Sequence, residues 1–191
     1  GSAMKYIGNV QSQANAEVFA VASGALPDGK PVVVNSNGTV SVIAATPDTF
    51  NGVNAVNTDS FYRTATTFDS NSNRVVIAYG DGADSNKGKA IVGTVASGTI
   101  SFGTPVVFNN AVTGSNINGI TATFDSNSNK VVIAYRDNGN SNYGTAIVGT
   151  VDSSDNSISF GSEAVFSSAL TYHLSSTFDS NSNKVVFTYK A

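Results

Sequence analysis

The sequence predicts an all-β protein, a β-propeller built from four-stranded antiparallel blades. Three observations carry this: a block that recurs three times at near-constant spacing, a composition of β-branched and turn residues, and apolar runs of strand length separated by Asn/Ser/Gly clusters. The block is TFDSNSNRVVIAY at Thr67–Tyr79, TFDSNSNKVVIAY at Thr123–Tyr135 and TFDSNSNKVVFTY at Thr177–Tyr189, with Phe68, Phe124 and Phe178 spaced 56 and 54 residues apart. Downstream, GKAIVGTV from Gly88 matches GTAIVGTV from Gly144, and ISFGTPVVF from Ile100 matches ISFGSEAVF from Ile158. Length varies only between these blocks, as it does in loops.

Each repeat reads as four strands in order. Strand A ends at TATFD (Asp125), and the Asn/Ser turn Ser126–Asn129 returns the chain as strand B, KVVIAY (Lys130–Tyr135); so short a link makes an antiparallel hairpin. Strand C is TAIVGTV (Thr145–Val151) and strand D is SISFGSEAVF. Strands B and C are almost continuously apolar, as strands covered on both faces are. Four linked strands form a meander, and a meander at this period is a propeller blade.

The third copy contains strands A and B only. The other pair lies near the N-terminus, where GKPVVVNSNGTVSV from Gly29 aligns with GKAIVGTVASGTISF from Gly88 if one residue is dropped at the turn. The expected organisation is a tag remnant over 1–4 and one repeat domain over 5–191. Within it lie the C and D strands of a split blade (29–50), two whole blades (60–110 and 111–168), and the A and B strands of the split blade (169–191). About three blades per chain, one shared between the termini, is below the usual four to eight. Two chains in C2 symmetry would make a six-bladed ring, each N-terminal hairpin completing its partner's last blade; a slice of a longer array and a trimeric fibre are the alternatives.

Composition narrows the function. At 191 residues with 40% hydrophobic content the chain can bury a core. A net charge of −3 without a basic stripe argues against nucleic acid and anionic membranes. The absence of cysteine removes disulfide and thiolate chemistry. No apolar run reaches the length of a membrane helix and no leader-like segment opens the chain, so neither a span nor a signal peptide is expected.

Three sets of residues are candidate sites. The DSNSN turns at Asp69, Asp125 and Asp179 have the alternate-oxygen spacing of calcium loops, but lack the following glycine and the distal glutamate, and the same residues suit a self-bonded hairpin turn. No cofactor is expected, with calcium at these turns as the alternative to a purely structural turn. The loop after strand B, GDGADSNKG from Gly80 and RDNGNSNYG from Arg136, places Tyr143 beside Asn140 and Asn142, where stacking and hydrogen bonds could hold a sugar. At the head of strand A, innermost in a propeller, Tyr62 and Arg63 align with Asn118 and Gly119 and with Tyr172 and His173. These positions differ inside a constant frame, where ligand contacts can be placed. No catalytic residue is expected: a sialidase-type site needs several arginines converging on a carboxylate and the chain has only Arg63, Arg74 and Arg136, Arg74 reads as a surface position, His173 stands alone, and the repeated aspartates are too regular for an acid/base pair.

The run FDSNSNKVVIAYRDNGNSNYGTAIVGTV with its SISFG and VVF blocks, over Thr64 to Lys190, resembles tandem repeats in uncharacterised proteins of marine bacteriophages and marine metagenomes. The segment from Glu17, EVFAVASGALPDGKPVVVNSNGTVSVIA, resembles the openings of such proteins. The resemblance implies a virion-associated or extracellular role in attachment to a surface glycan, and it transfers no catalytic motif. The expectation is therefore a non-catalytic module that binds cell-surface carbohydrate through loops or channel-facing residues; the alternatives are a purely structural virion or scaffold element and, least favoured, a glycosidase.

Overall fold

The computed structural model describes residues 3–6, 18–26, 32–42, 61–112 and 119–191, and apart from one short 3-10 turn their regular elements are all β-strands. No helix among the described residues is long and apolar enough to cross a membrane. The chain divides into two compact units, 1–50 and 51–191.

The first unit holds β1 (Ala3–Tyr6), β2 (Val18–Ala22), β3 (Val32–Val34) and β4 (Thr39–Val42). Their order is β1-β2-β4-β3, with β2 and β4 parallel and the other pairs antiparallel. The expected N-terminal hairpin exists as β3–β4. Its turn is longer than its counterpart in the first whole repeat, not one residue shorter: the closing pair Val34–Val40 encloses five residues, whereas Ala96–Thr99 encloses two. Asn35 Nδ2 and the Thr39 hydroxyl close the longer turn, which Gly38 enters at φ 79°.

The second unit repeats one pattern. Strands β5 (Phe61–Asp69), β6 (Arg74–Asp81), β7 (Lys87–Ala96), β8 (Thr99–Phe102) and β9 (Val106–Asn109) form the first sheet, and β10 (Ile120–Asp125), β11 (Lys130–Asp137), β12 (Tyr143–Asp152), β13 (Ser157–Phe160) and β14 (Ala164–Leu170) the second. The hairpin β15 (Tyr172–Asp179) and β16 (Lys184–Lys190) follows. Strands A, B and C fall where expected. Strand D is two strands: β8 and β9 pair with opposite halves of β7, as β13 and β14 do with β12. The break falls at Gly103 and Gly161, whose N–H groups still donate to Val92 and Val148 carbonyls.

Every A–B hairpin closes identically. Oδ1 of Asp69, Asp125 and Asp179 accepts from the backbone N–H two and three residues ahead, at 2.9–3.2 Å, and Asn73, Asn129 and Asn183 take left-handed φ of 54–56°. Asn tolerates that region and Asp supplies the local acceptor, so DSNSN encodes the turn.

The sheets stack face to back in a constant sense. Val76 and Ala78 of β6 with Ala90 and Val92 of β7 pack on the face of the second sheet that carries Phe124, Val131, Ile133 and Tyr135. By repeat position these are opposite faces of equivalent sheets. The joint recurs: Phe108 meets Tyr135 at 5.0 Å between ring centroids, and their equivalents Phe166 and Tyr189 meet at 5.2 Å. Burial on both faces is why strands B and C lack polar alternation.

A polar clasp locks the first joint. Arg74 Nε donates to Asn156 Oδ1 at 2.6 Å and its Nη2 to the Ser153 carbonyl at 2.8 Å; Thr94 Oγ1 donates to the same Asn156 oxygen at 3.0 Å. Arg74, expected at the surface, is therefore a half-buried link between repeats. Lysine replaces it in the later copies, and Lys130 donates within its own sheet, to Thr150 Oγ1.

Candidate functional site

Two clefts within the second unit collect polar side chains. The first lies at the heads of β5, β10 and β15, about 580 Å³ in volume, and its lining includes Arg63, Thr66, Gly119, Thr121 and Leu174. Thr121 and Thr123 hydroxyls share the Ser176 hydroxyl, tying β10 to β15. Register slips between Tyr62 and Thr64, and again between Tyr172 and Ser175, so Arg63 and His173 are bulge residues, at φ 54° and 52°. A non-glycine residue held left-handed costs about 1 kcal/mol, and bulges re-aim side chains.

Two arginine nitrogens here have no partner among the described residues. Arg63 Nε is buried and unbonded. Arg136 is 9% exposed; its Nε donates to Asn142 Oδ1 at 3.0 Å, its guanidinium carbon lies 5.0 Å from the centre of the Tyr172 ring, and its Nη1 is buried without an acceptor. The Arg136 N–H donates to the Gly119 carbonyl, which places its backbone beside this cleft. Tyr62 is exposed, Tyr172 half-buried with the His173 ring 6.4 Å away, and His173 exposed. Asn118 lies outside the described residues. The structure thus gathers Arg63 with Gly119, and Tyr172 with His173 and Arg136.

Tyr143 belongs elsewhere. It opens β12, half-buried, opposite Asp137 in register. Near it is the second cleft, about 440 Å³, between β9 and the β11–β12 loop, where Asn109, Asn110, Asp137, Asn140 and Glu163 face an apolar wall of Val107, Phe108 and Ala111. Glu163 Oε1 accepts from Tyr135 Oη at 2.7 Å and from Asn109 Nδ2 at 2.9 Å. Asp137, 6% exposed, receives the Gly139 N–H at 2.9 Å. Burial pushes its carboxyl above the usual carboxylate range, with the Glu163 charge adding and the Gly139 N–H opposing. Sequence reasoning left Asp137 and Glu163 out. The available signal was a break in the repeat: Glu163 stands where the first repeat has Pro105, and Thr145 where it has Lys89.

A group whose pKa is raised by folding favours the folded state most below its unfolded pKa and loses that contribution as pH climbs through the raised value. Asp137→Asn keeps the oxygen for Gly139 and removes the charge. The variant is expected to be more stable than wild type at pH 7 by about 1 kcal/mol, the low end for a poorly satisfied buried polar group. The difference should vanish near pH 4, as urea titrations at the two pH values would show.

The aspartates proposed as calcium ligands are committed to their own turns; Ser128 and Ser182 hydroxyls additionally bond Asp125 and Asp179. No group of three or more Asp, Glu, His or Cys that could hold a metal occurs among the described residues.

Comparison with protein-family models, curated proteins and solved structures finds no match for this chain.

Proposed function

We propose that this chain is a non-catalytic carbohydrate-binding module of the β-propeller type, displayed on a virion or cell exterior. The observation that carries the reading is the cleft at the strand-A heads, where Arg63 presents a buried Nε with no acceptor from a strained bulge. A donor left unpaired at that depth is stabilised by an incoming oxygen, and sugar hydroxyls or a sugar carboxylate supply one. The aromatic rings of Tyr62 and Tyr172, at the heads of the two strands that flank β10, each suit stacking on a pyranose face. Copies of one weak site carried on an assembly of several chains gain from multivalency, which suits attachment. Glycan-array screening tests this: saturable binding weakened about tenfold by Arg63→Ala or Tyr172→Ala supports it, that factor being the loss of one charge-assisted contact. Silence across a broad array defeats it.

Self-assembly is the second reading, favoured by what surrounds the last hairpin. Among the described residues the outer edge of β16 carries no strand, whereas β6 and β11 carry β7 and β12 there. Strand β3 is an edge strand with Val33 and Val34 exposed, and Val186 and Tyr189 of β16 are exposed too. Pairing β3 of one chain with β16 of a second completes the split blade in both and closes a six-bladed ring. Light scattering decides: a species of twice 19.5 kDa supports the ring, and a monomer at all concentrations removes it.

A further inference from the structure

The two whole repeats differ at one electrostatically decisive place. In the first, Lys89 Nζ lies 2.8 Å from Asp81 Oδ2 and 2.7 Å from Asp84 Oδ2, an internal ammonium between two carboxylates. The equivalent positions of the second repeat are Thr145, Asp137 and Asn140. The aspartate is kept and the ammonium is gone, while Glu163 brings another carboxylate to the same cleft. No lysine or arginine pairs with Asp137 or Glu163 among the described residues. Thr145 is 1% exposed, and its hydroxyl, on the sheet face that carries Tyr135 and Asp137, has no hydrogen-bond partner.

We infer that the cleft of Asp137, Asn140 and Glu163 binds a primary ammonium group from outside the chain, in the place Lys89 fills in the first repeat. An ammonium offers three N–H donors, and the cleft offers a buried carboxylate, a second carboxylate and amide oxygens around about 440 Å³. A carboxylate as buried as that of Asp137, with no counter-charge beside it among the described residues, gains most from such a guest. The wall of Val107, Phe108 and Ala111 then covers the carbon frame that carries the ammonium. Taking that frame to be a 2-amino sugar rests on the carbohydrate reading above; the ammonium site itself does not.

Thr145→Lys supplies the test, because it returns the first repeat's own ammonium. Wild type titrated by NMR with glucosamine is expected to show saturable shifts at Gly139 and Asn140. These should weaken at least about tenfold in Thr145→Lys, which should also melt higher, and in Asp137→Asn, the loss expected for one charge-assisted contact. Asp137→Asn carries the comparison by itself if the lysine does not fit. Glucose and N-acetylglucosamine, uncharged at that position, should leave Gly139 and Asn140 unmoved. Glucosamine without effect on wild type, or binding Thr145→Lys and Asp137→Asn as tightly as wild type, overturns the inference, whatever neutral sugars do at Arg63. If n-butylammonium matches glucosamine and no neutral sugar binds anywhere, the ammonium site stands and the carbohydrate reading falls.

Discussion

Replacing Tyr135 with alanine is expected to remove about 3–5 kcal/mol of stability, read as a fall in the urea midpoint at constant slope. The side chain is fully buried at the joint between the two whole repeats, with Phe108 at 5.0 Å, and its hydroxyl ends on Glu163. Alanine leaves a ring-sized cavity and removes one of the two donors that Glu163 Oε1 accepts from, Asn109 Nδ2 being the other. Tyr135→Phe isolates the second part and should cost about 0.5–1.5 kcal/mol, because Glu163 is exposed and keeps the Asn109 donor. The series extends to the same strand position in the other repeats. Tyr79 is as deeply buried, edge-on to Phe61 at 4.7 Å, and should behave like Tyr135. Tyr189 contacts Phe166 but stays 42% exposed, so its alanine variant should cost about half as much in a monomer. A cost for Tyr189→Ala that rises with protein concentration would support the second-copy strand on β16.

The second large effect is a pair of identical substitutions with opposite signs. A Cβ on Gly103 would lie 2.1 Å from the Asn156 carbonyl oxygen, a backbone atom of the next repeat held by the Arg74 clasp. Neither backbone can yield without opening the joint, so Gly103→Ala should destabilise by about 2–3 kcal/mol, in the range of core overpacking. Gly161 occupies the same repeat position, and the nearest atom to its added Cβ is the Val148 carbonyl oxygen at 3.8 Å, ordinary contact. Neither glycine has a left-handed φ, so alanine at 161 meets no strain and should stabilise by about 0.4–1 kcal/mol through the unfolded chain. Thermal melts of the two variants suffice, and equal shifts would mean that the joint at Asn156 is not formed.

How much was legible in the sequence follows from which interactions are local. The DSNSN turns were, because each Asp bonds amides two and three residues away and each final Asn takes the left-handed φ itself. The order of strands A, B and C was legible for the same reason, as was apolarity on both faces of B and C. Of the strand-A heads singled out by the repeat, Arg63 and Gly119 line one cleft, whereas Tyr62, Tyr172 and His173 are not in its lining. The division of strand D was not, since GTPVVF and GSEAVF read as one extended run; only pairing of its halves with two stretches of strand C shows two strands. Arg74 was misread because its acceptors lie 79 and 82 residues away. The Asp137–Glu163 cleft was missed because repeat-matching weighs what recurs, and this cleft is made of two departures from the repeat.

Sequence alone determined that the chain is all-β, that its unit is a hairpin-linked meander, and where that unit turns, since those facts are written in residues close enough to bond one another. Tertiary structure alone decided which of several identical residues are buried. Phe68 and Phe124 open the same motif, yet one is 52% exposed and the other 9%, because the first sheet packs on Phe124's face and, among the described residues of this unit, no sheet packs on Phe68's. A repeat encodes its own strands; its neighbour determines which face is dry, which glycine tolerates a methyl group and which aspartate is left without a cation.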